Sequence, residues 1–293
     1  MRSSVIAIGL VVTLFGLGRA DGAELIDFWM ADGNAHQEDH LVKYNSNTGV
    51  STVQLSGSGW PSDLVRVGAE VYGVDTALHQ LYTLNPDTGV ASHVGVPTVH
   101  EGLGALAYDA TGDVLYGVDW DPTFAASDLI SFDRQTGAAT VLQSLGPSMR
   151  NVHGLAFRDA DQLLYAVDVP TNALRTIDPS TGAVDFVATL TNDPFGFYDE
   201  LTFFDGKLYG SYVYFLGPQW GQVRRIDLGT GNTIDIGPPI ANVSAHSLVI
   251  NSVPEPSTFG MLLGAWCLGA ALIGRDRLHR PKPVADGEPA EAG

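Results

Sequence analysis

Between residues 24 and 251 apolar and polar positions alternate in short runs, and the runs recur. Four segments align: Val71-Tyr72-Gly73-Val74-Asp75, Leu115-Tyr116-Gly117-Val118-Asp119, Leu164-Tyr165-Ala166-Val167-Asp168 and Leu208-Tyr209-Gly210-Ser211-Tyr212. Glu24–Trp29 is a degenerate fifth. After each comes a second alternating run: His40–Asn45, Gln80–Asn85, Asp128–Asp133, Ala173–Asp178 and Gln222–Asp227. Period-two alternation is the mark of a half-buried strand. Each second run enters a turn containing Gly49, Gly89, Gly137, Gly182 or Gly231, where glycine supplies the positive φ of a short hairpin. A third run leaves the turn: Val50–Leu55, Val90–Val94, Ala138–Leu142, Ala183–Val187 and Asn232–Ile236.

The turn glycines are 40, 48, 45 and 49 residues apart, the period of four-stranded propeller blades. The remaining strand of each blade precedes the Tyr-containing run, at Leu64–Val67, Leu106–Asp109, Leu155–Arg158 and Leu201–Phe204. The first blade has no such strand of its own. His246–Ile250 has the right pattern after the fifth blade and is expected to close the ring beside the first, removing exposed sheet edges. The expected fold is therefore all-β, a five-bladed β-propeller over residues 24–251. An open β-solenoid and an incomplete ring finished by a partner are the alternatives, and the closing strand argues against both. Gly73, Gly117, Ala166 and Gly210 share one repeat position, where a small residue would let neighbouring blades approach. Tyr72, Tyr116, Tyr165 and Tyr209 share the position before it and read as core.

The two ends have another character. Residues 1–23 read as a secretory signal, with Arg2, an apolar stretch Val5–Leu17, and small residues around Gly18-Arg19-Ala20. Asp21-Gly22-Ala23 is a poorer cleavage site. Residues 252–293 carry Val253-Pro254-Glu255-Pro256-Ser257-Thr258, then an apolar run over 259–274, then Arg275, Arg277, Arg280 and Lys282, then a polar tail, Pro283–Gly293. The run is short for a spanning helix, which needs about 20 residues, and its basic flank predicts a cytoplasmic end. Motif, apolar run and basic cluster together resemble the PEP-CTERM sorting signal of exported bacterial proteins. That resemblance implies a transmembrane helix, processing by an exosortase, and a role near an extracellular polysaccharide matrix. The polar tail departs from the family pattern, in which the chain ends close to the basic cluster. A plain C-terminal membrane anchor is the simpler reading of the same residues.

Composition narrows the partners. The chain has 293 residues and a net charge of −18; residues 24–258 alone hold nine Lys and Arg against 28 Asp and Glu. So acidic a surface excludes nucleic acid as a partner, and it avoids anionic lipid or polysaccharide unless cations bridge them. Hydrophobic residues are 45% of the chain, which excludes a disordered acidic tail. The single cysteine excludes an intramolecular disulfide and a Cys-rich metal site. No phosphate-binding glycine loop, His-Glu-x-x-His or nucleophile elbow is present.

Topology suggests one constellation. His153, Asp199 and His246 fall two residues before Leu155, Leu201 and Leu248, at the starts of innermost strands; Ser62 and Gly104 hold that place in the other blades. Asp75, Asp119 and Asp168 end the second strands on the same rim, with Asp121, His100 and Glu101 nearby. His153, Asp199, His246, Asp119 and Asp168 are thus candidate ligands for a divalent cation such as calcium, although no fixed short spacing supports the set. Strand capping is the competing role for them. Asp109, Asp113, Asp159, Asp161 and Asp205 belong to turns on the opposite rim. The aromatics of Phe195–Tyr198 and Tyr212–Phe215, with Trp220, Trp60 and Trp120, read as surface rings able to stack on sugars or pack long loops. The expectation is an exported binding or structural protein of the cell envelope or polysaccharide matrix, attached to the membrane through its C-terminal helix, with envelope proteins or polysaccharide as partners. The alternative is a metal-dependent hydrolase or lactonase with its site at the channel mouth.

Overall fold

The computed structural model describes residues 27–251, apart from 33–39, 46–48, 58–60, 101, 122, 124, 192–195, 215–219 and 242–246. Five four-stranded antiparallel sheets form the blades. The first holds β1 (Asp27–Asp32), β2 (His40–Asn45) and β3 (Gly49–Gln54). The second runs β4 (Pro61–Val67), β5 (Glu70–Asp75), β6 (Gln80–Leu84), β7 (Ala91–His93). The third runs β8 (Leu103–Asp109), β9 (Val114–Trp120), β10 (Ser127–Phe132), β11 (Ala139–Ser144). The fourth runs β12 (Val152–Arg158), β13 (Leu163–Asp168), β14 (Ala173–Ile177), β15 (Val184–Thr189). The fifth runs β16 (Gly196–Phe204), β17 (Lys207–Tyr214), β18 (Trp220–Ile226), β19 (Thr233–Ala241). The last strand, β20 (Val249–Asn251), returns to the first blade and pairs Phe28 with Ile250 and Trp29 with Val249. The expected closure by a C-terminal strand is therefore present. Ser247, just ahead of it, reinforces the seam by accepting the Ala31 N–H on Oγ at 2.7 Å.

The innermost strands β4, β8, β12, β16 and β20 touch in a ring around a central channel. Each blade buries both faces against its neighbours, so the core is five separate clusters, one per interface. Leu64, Leu106, Leu155, Leu201 and Leu248 are each at most 2% exposed and each belongs to a different cluster. The seam cluster joins Phe28, Met30 and Leu248 of the first blade to Phe197, Tyr209 and Val223 of the fifth. Tyr72, Tyr116, Tyr165 and Tyr209 are buried, as the repeat predicts.

Two expectations are corrected here. Gly73, Gly117 and Gly210 do not make room for a neighbouring blade. A Cβ on them would meet Tyr82 at 2.3 Å, Phe132 at 2.7 Å and Tyr198 at 2.8 Å, all rings of their own sheets. An aromatic on the adjacent strand folds over each glycine instead. Nor are Phe197, Tyr198 and Tyr212 surface rings: all three are buried, because β16 begins at Gly196, well before Leu201. Phe195, Phe215 and Trp60 lie outside the described residues.

The outer turns repeat closely. The Asp133 side chain accepts N–H bonds from Gln135 and Thr136 at 2.8 and 2.9 Å, while Gly137 N–H returns to the Asp133 carbonyl at 2.8 Å. Asn85, Asp178 and Asp227 make the same turn, closed by Gly89, Gly182 and Gly231. All five turn glycines have φ between +72° and +85°. Among the described residues no helix is long and apolar enough to cross a membrane. The expected signal over 1–23 and sorting segment over 252–293 lie outside the described residues.

Candidate functional site

The rim where the innermost strands begin is shaped by a bulge. In β4, β8, β12 and β16 the antiparallel register slips between Pro61 and Asp63, Leu103 and Ala105, Val152 and Leu155, and Tyr198 and Glu200. Ser62, Gly104, His153 and Asp199 lie within these slips. A bulge re-aims its side chain, and two of these four are the imidazole and carboxylate that the sequence singles out.

His153 and Asp199 do come together. Nδ1 of His153 lies 2.5 Å from Asp199 Oδ1, and its Nε2 lies 2.9 Å from Asn151 Oδ1. The edge of the ring stands on Phe197, at 5.3 Å between centroids. The other candidates are spent elsewhere. Asp119 Oδ2 takes His100 Nδ1 at 2.5 Å and its Oδ1 accepts the Gly102 N–H at 2.9 Å. Asp168 accepts the Arg150 N–H at 3.1 Å and the Thr171 hydroxyl at 2.5 Å. Asp75 accepts Ala77 and Leu78 N–H bonds and faces His93. These aspartates tie second-strand ends to the loops beside them, the capping role. His246 lies outside the described residues. Among the described residues no three His, Cys, Asp or Glu side chains converge to hold a metal, so the four described members of the expected set, His153, Asp199, Asp119 and Asp168, do not assemble as one centre.

One residue further along each strand lies a ring the sequence reading passed over: Asp63, Ala105, Gly154, Glu200 and Ser247. Asp63 and Glu200, from blades two and five, meet at the channel. Both are almost wholly buried. Asp63 Oδ1 accepts the Leu64 N–H at 2.6 Å, Oδ2 accepts the Leu106 N–H of the next blade, and a side-chain bond joins it to Glu200. Burial pushes Asp63 up to about 8 and Glu200 well above the usual carboxyl range; Asp63 raises Glu200 further, whereas the bond to Glu200 and the N–H groups of Leu106 and Leu64 draw Asp63 back down. Burial thus favours the protonated form of both carboxyls, against the N–H bonds that each accepts. The readable signal was two acids at one repeat position, directly before the buried leucine.

From Glu200 outward to Arg66, Tyr108, Phe157 and Phe203 the channel encloses a cavity of about 190 Å³. A second concavity, about 470 Å³, lies on the rim of the third blade between Val99, Trp120, Asp119, Asp121, Asp128 and Ser144.

No protein-family model and no curated protein matches the chain. Solved structures do. A chain in the crystal structure of a nidogen/laminin complex superposes with a TM-score of 0.51 at 15% identity, over 78% of this chain and 85% of that one. A structural genomics protein of unknown function from Bacteroides thetaiotaomicron VPI-5482 gives 0.46 at 19% identity, over 77% of this chain and 63% of that one. At these identities the likeness is of fold: this chain is a five-bladed β-propeller.

Proposed function

We propose that this propeller is an exported binding protein of the cell envelope or its polysaccharide matrix, sorted by its C-terminal segment. The observation that carries the binding half is the rim groove of the third blade. There the half-exposed Trp120 borders Asp119, Asp121, Asp128 and Ser144. An indole face beside carboxylate and hydroxyl acceptors suits the apolar face and hydroxyl groups of a neutral sugar. The like charge of the surface disfavours an anionic polymer. The fold's occurrence in a nidogen/laminin complex is consistent with partner binding at the level of architecture. The sorting half rests on Val253–Thr258, the apolar run and the basic cluster. The hydrolase reading has the imidazole–carboxylate pairs His153–Asp199, His100–Asp119 and His93–Asp75 in its favour, but among the described residues no three such side chains converge to hold a metal.

Two experiments test this. Co-sedimentation with neutral extracellular polysaccharide should fall in Trp120→Ala while the fold persists; equal binding by both proteins refutes the groove. Fractionation of cells expressing the full chain should place it in the envelope or matrix, with Pro254→Ala and Glu255→Ala blocking C-terminal processing. Retention of the intact chain in the cytoplasm refutes export.

A further inference from the structure

We propose that the end of the central channel opposite the His153 rim binds a small aromatic carboxylate, with Arg66 taking the carboxylate and a collar of rings taking the apolar body. The site goes beyond the matrix reading, shares no residue with the Trp120 groove, and stands or falls without it.

Three observations carry it. First, the repeat itself builds the collar. Three residues beyond Asp63, Ala105, Gly154, Glu200 and Ser247 on the innermost strands stand Arg66, Tyr108, Phe157, Phe203 and Ile250. All five border the channel cavity of about 190 Å³. Four are aromatic or aliphatic, and the fifth is a guanidinium. Second, the rings are fixed in advance. Phe157 stacks on Tyr116 with 6.0 Å between centroids, Phe203 and Tyr165 make a T-shaped pair at 5.1 Å, and Tyr108 donates its hydroxyl to Asp113 at 2.6 Å. Third, Arg66 is placed by the first blade: its guanidinium carbon lies over the Trp29 ring, 4.8 Å from the centroid. A cation–π contact positions the group without consuming its hydrogen bonds. Its five N–H donors lie in one plane, a fork that matches a carboxylate and exceeds what a single protein acceptor uses.

Charge and size agree. Lys43 also lies over Trp29, Arg134 over Tyr108 and Arg158 over Phe203, at 5.3, 5.4 and 5.8 Å. With Arg66 these are four of the nine Lys and Arg of an otherwise acidic domain, gathered around the collar. Asp87, Asp113 and Asp161 pair with Lys43, Arg134 and Arg158, so the neighbourhood is balanced before Arg66 is counted. Glu200, at the inner end of the cavity, is only 1% exposed, which withdraws its carboxyl from an entering anion. An apolar cavity of about 150 Å³ holds benzene, so this one has room for a single ring with its carboxylate at the mouth. It is too small for an oligosaccharide.

The test is calorimetric titration of the purified full chain with three probes. Benzoate carries both features, benzyl alcohol keeps the ring without the charge, and acetate keeps the charge without the ring. The expected result is saturable binding of one benzoate, with each of the other two weaker by about tenfold or more. Arg66→Gln, at an exposed position, should weaken benzoate by about tenfold or more, whereas Arg150→Gln, exposed on the opposite rim, should leave it unchanged. No saturable binding of benzoate overturns the proposal. So does benzoate binding that survives Arg66→Gln, which would put the ligand elsewhere. Should Arg66→Gln fail to fold by circular dichroism, the ranking of the three probes on the wild-type chain still decides, because benzyl alcohol or acetate binding as tightly as benzoate also overturns it.

Discussion

Gly49 and Gly137 occupy the same turn position in different blades, with φ of +85° and +72°. Their surroundings differ. A Cβ on Gly49 would find nothing within 4 Å. On Gly137 it would lie 2.1 Å from the Val94 carbonyl oxygen of the preceding blade, and the reciprocal Cβ on Gly95 would lie 1.7 Å from the Thr136 carbonyl oxygen. Two glycine turns interlock between blades two and three, and the first of these contacts falls well over 1 Å short of ordinary van der Waals separation. Alanine at either Gly49 or Gly137 must adopt left-handed backbone, costing about 1–2 kcal/mol. It also stiffens the unfolded chain equally at both sites. Only Gly137→Ala forces the blades apart, an overpacking penalty of about 1–3 kcal/mol. Gly49→Ala should therefore destabilise by about 1–2 kcal/mol and Gly137→Ala by about 2–5 kcal/mol, read from urea midpoints at unchanged m-value. Asparagine, which tolerates left-handed backbone, should be mild at 49 and remain costly at 137. If the two alanine variants fall within about 0.5 kcal/mol of each other, the interlock contributes nothing and the reasoning fails.

Leu248→Ala at the seam should cost about 2–5 kcal/mol, as much as Leu64→Ala, because both side chains are fully packed; a mild effect at 248 alone would show the ring loosely closed. Stability should decline as pH rises from about 4 through 8, since Asp63 and Glu200 bind protons more tightly folded than unfolded. That contribution is complete below the unfolded carboxyl range and is lost as pH passes about 8; Glu200→Gln should flatten the profile, and a rise over this window would contradict the buried pair. The turn carboxylates act with the opposite sign. Hydrogen bonds from turn N–H and hydroxyl groups hold Asp133, Asp178 and Asp227 below the usual range, so their support is present above about pH 4 and lost as pH falls through their folded values. Asp133→Ala should thus melt below wild type at pH 7, with the gap closing near pH 2; a gap independent of pH would refute the carboxylate's role.

Much of the architecture was written locally. Alternation, the Asp-x-x-Thr-Gly turn and its recurrence determined strands, hairpins, blade number and the closing strand, because a propeller repeats one local unit and each turn satisfies its own backbone. The site was less legible. Bulges at Ser62, Gly104, His153 and Asp199 break period two where the innermost strands begin, so alternation stopped at the leucines and Phe197 and Tyr198 read as surface. Which carboxylates met which partners was decided by the ring. Asp119 and Asp168 turned back to nearby loops. Asp63 and Glu200, 137 residues apart, became neighbours only because closing five blades carries blades two and five to the same channel, a proximity no local pattern encodes.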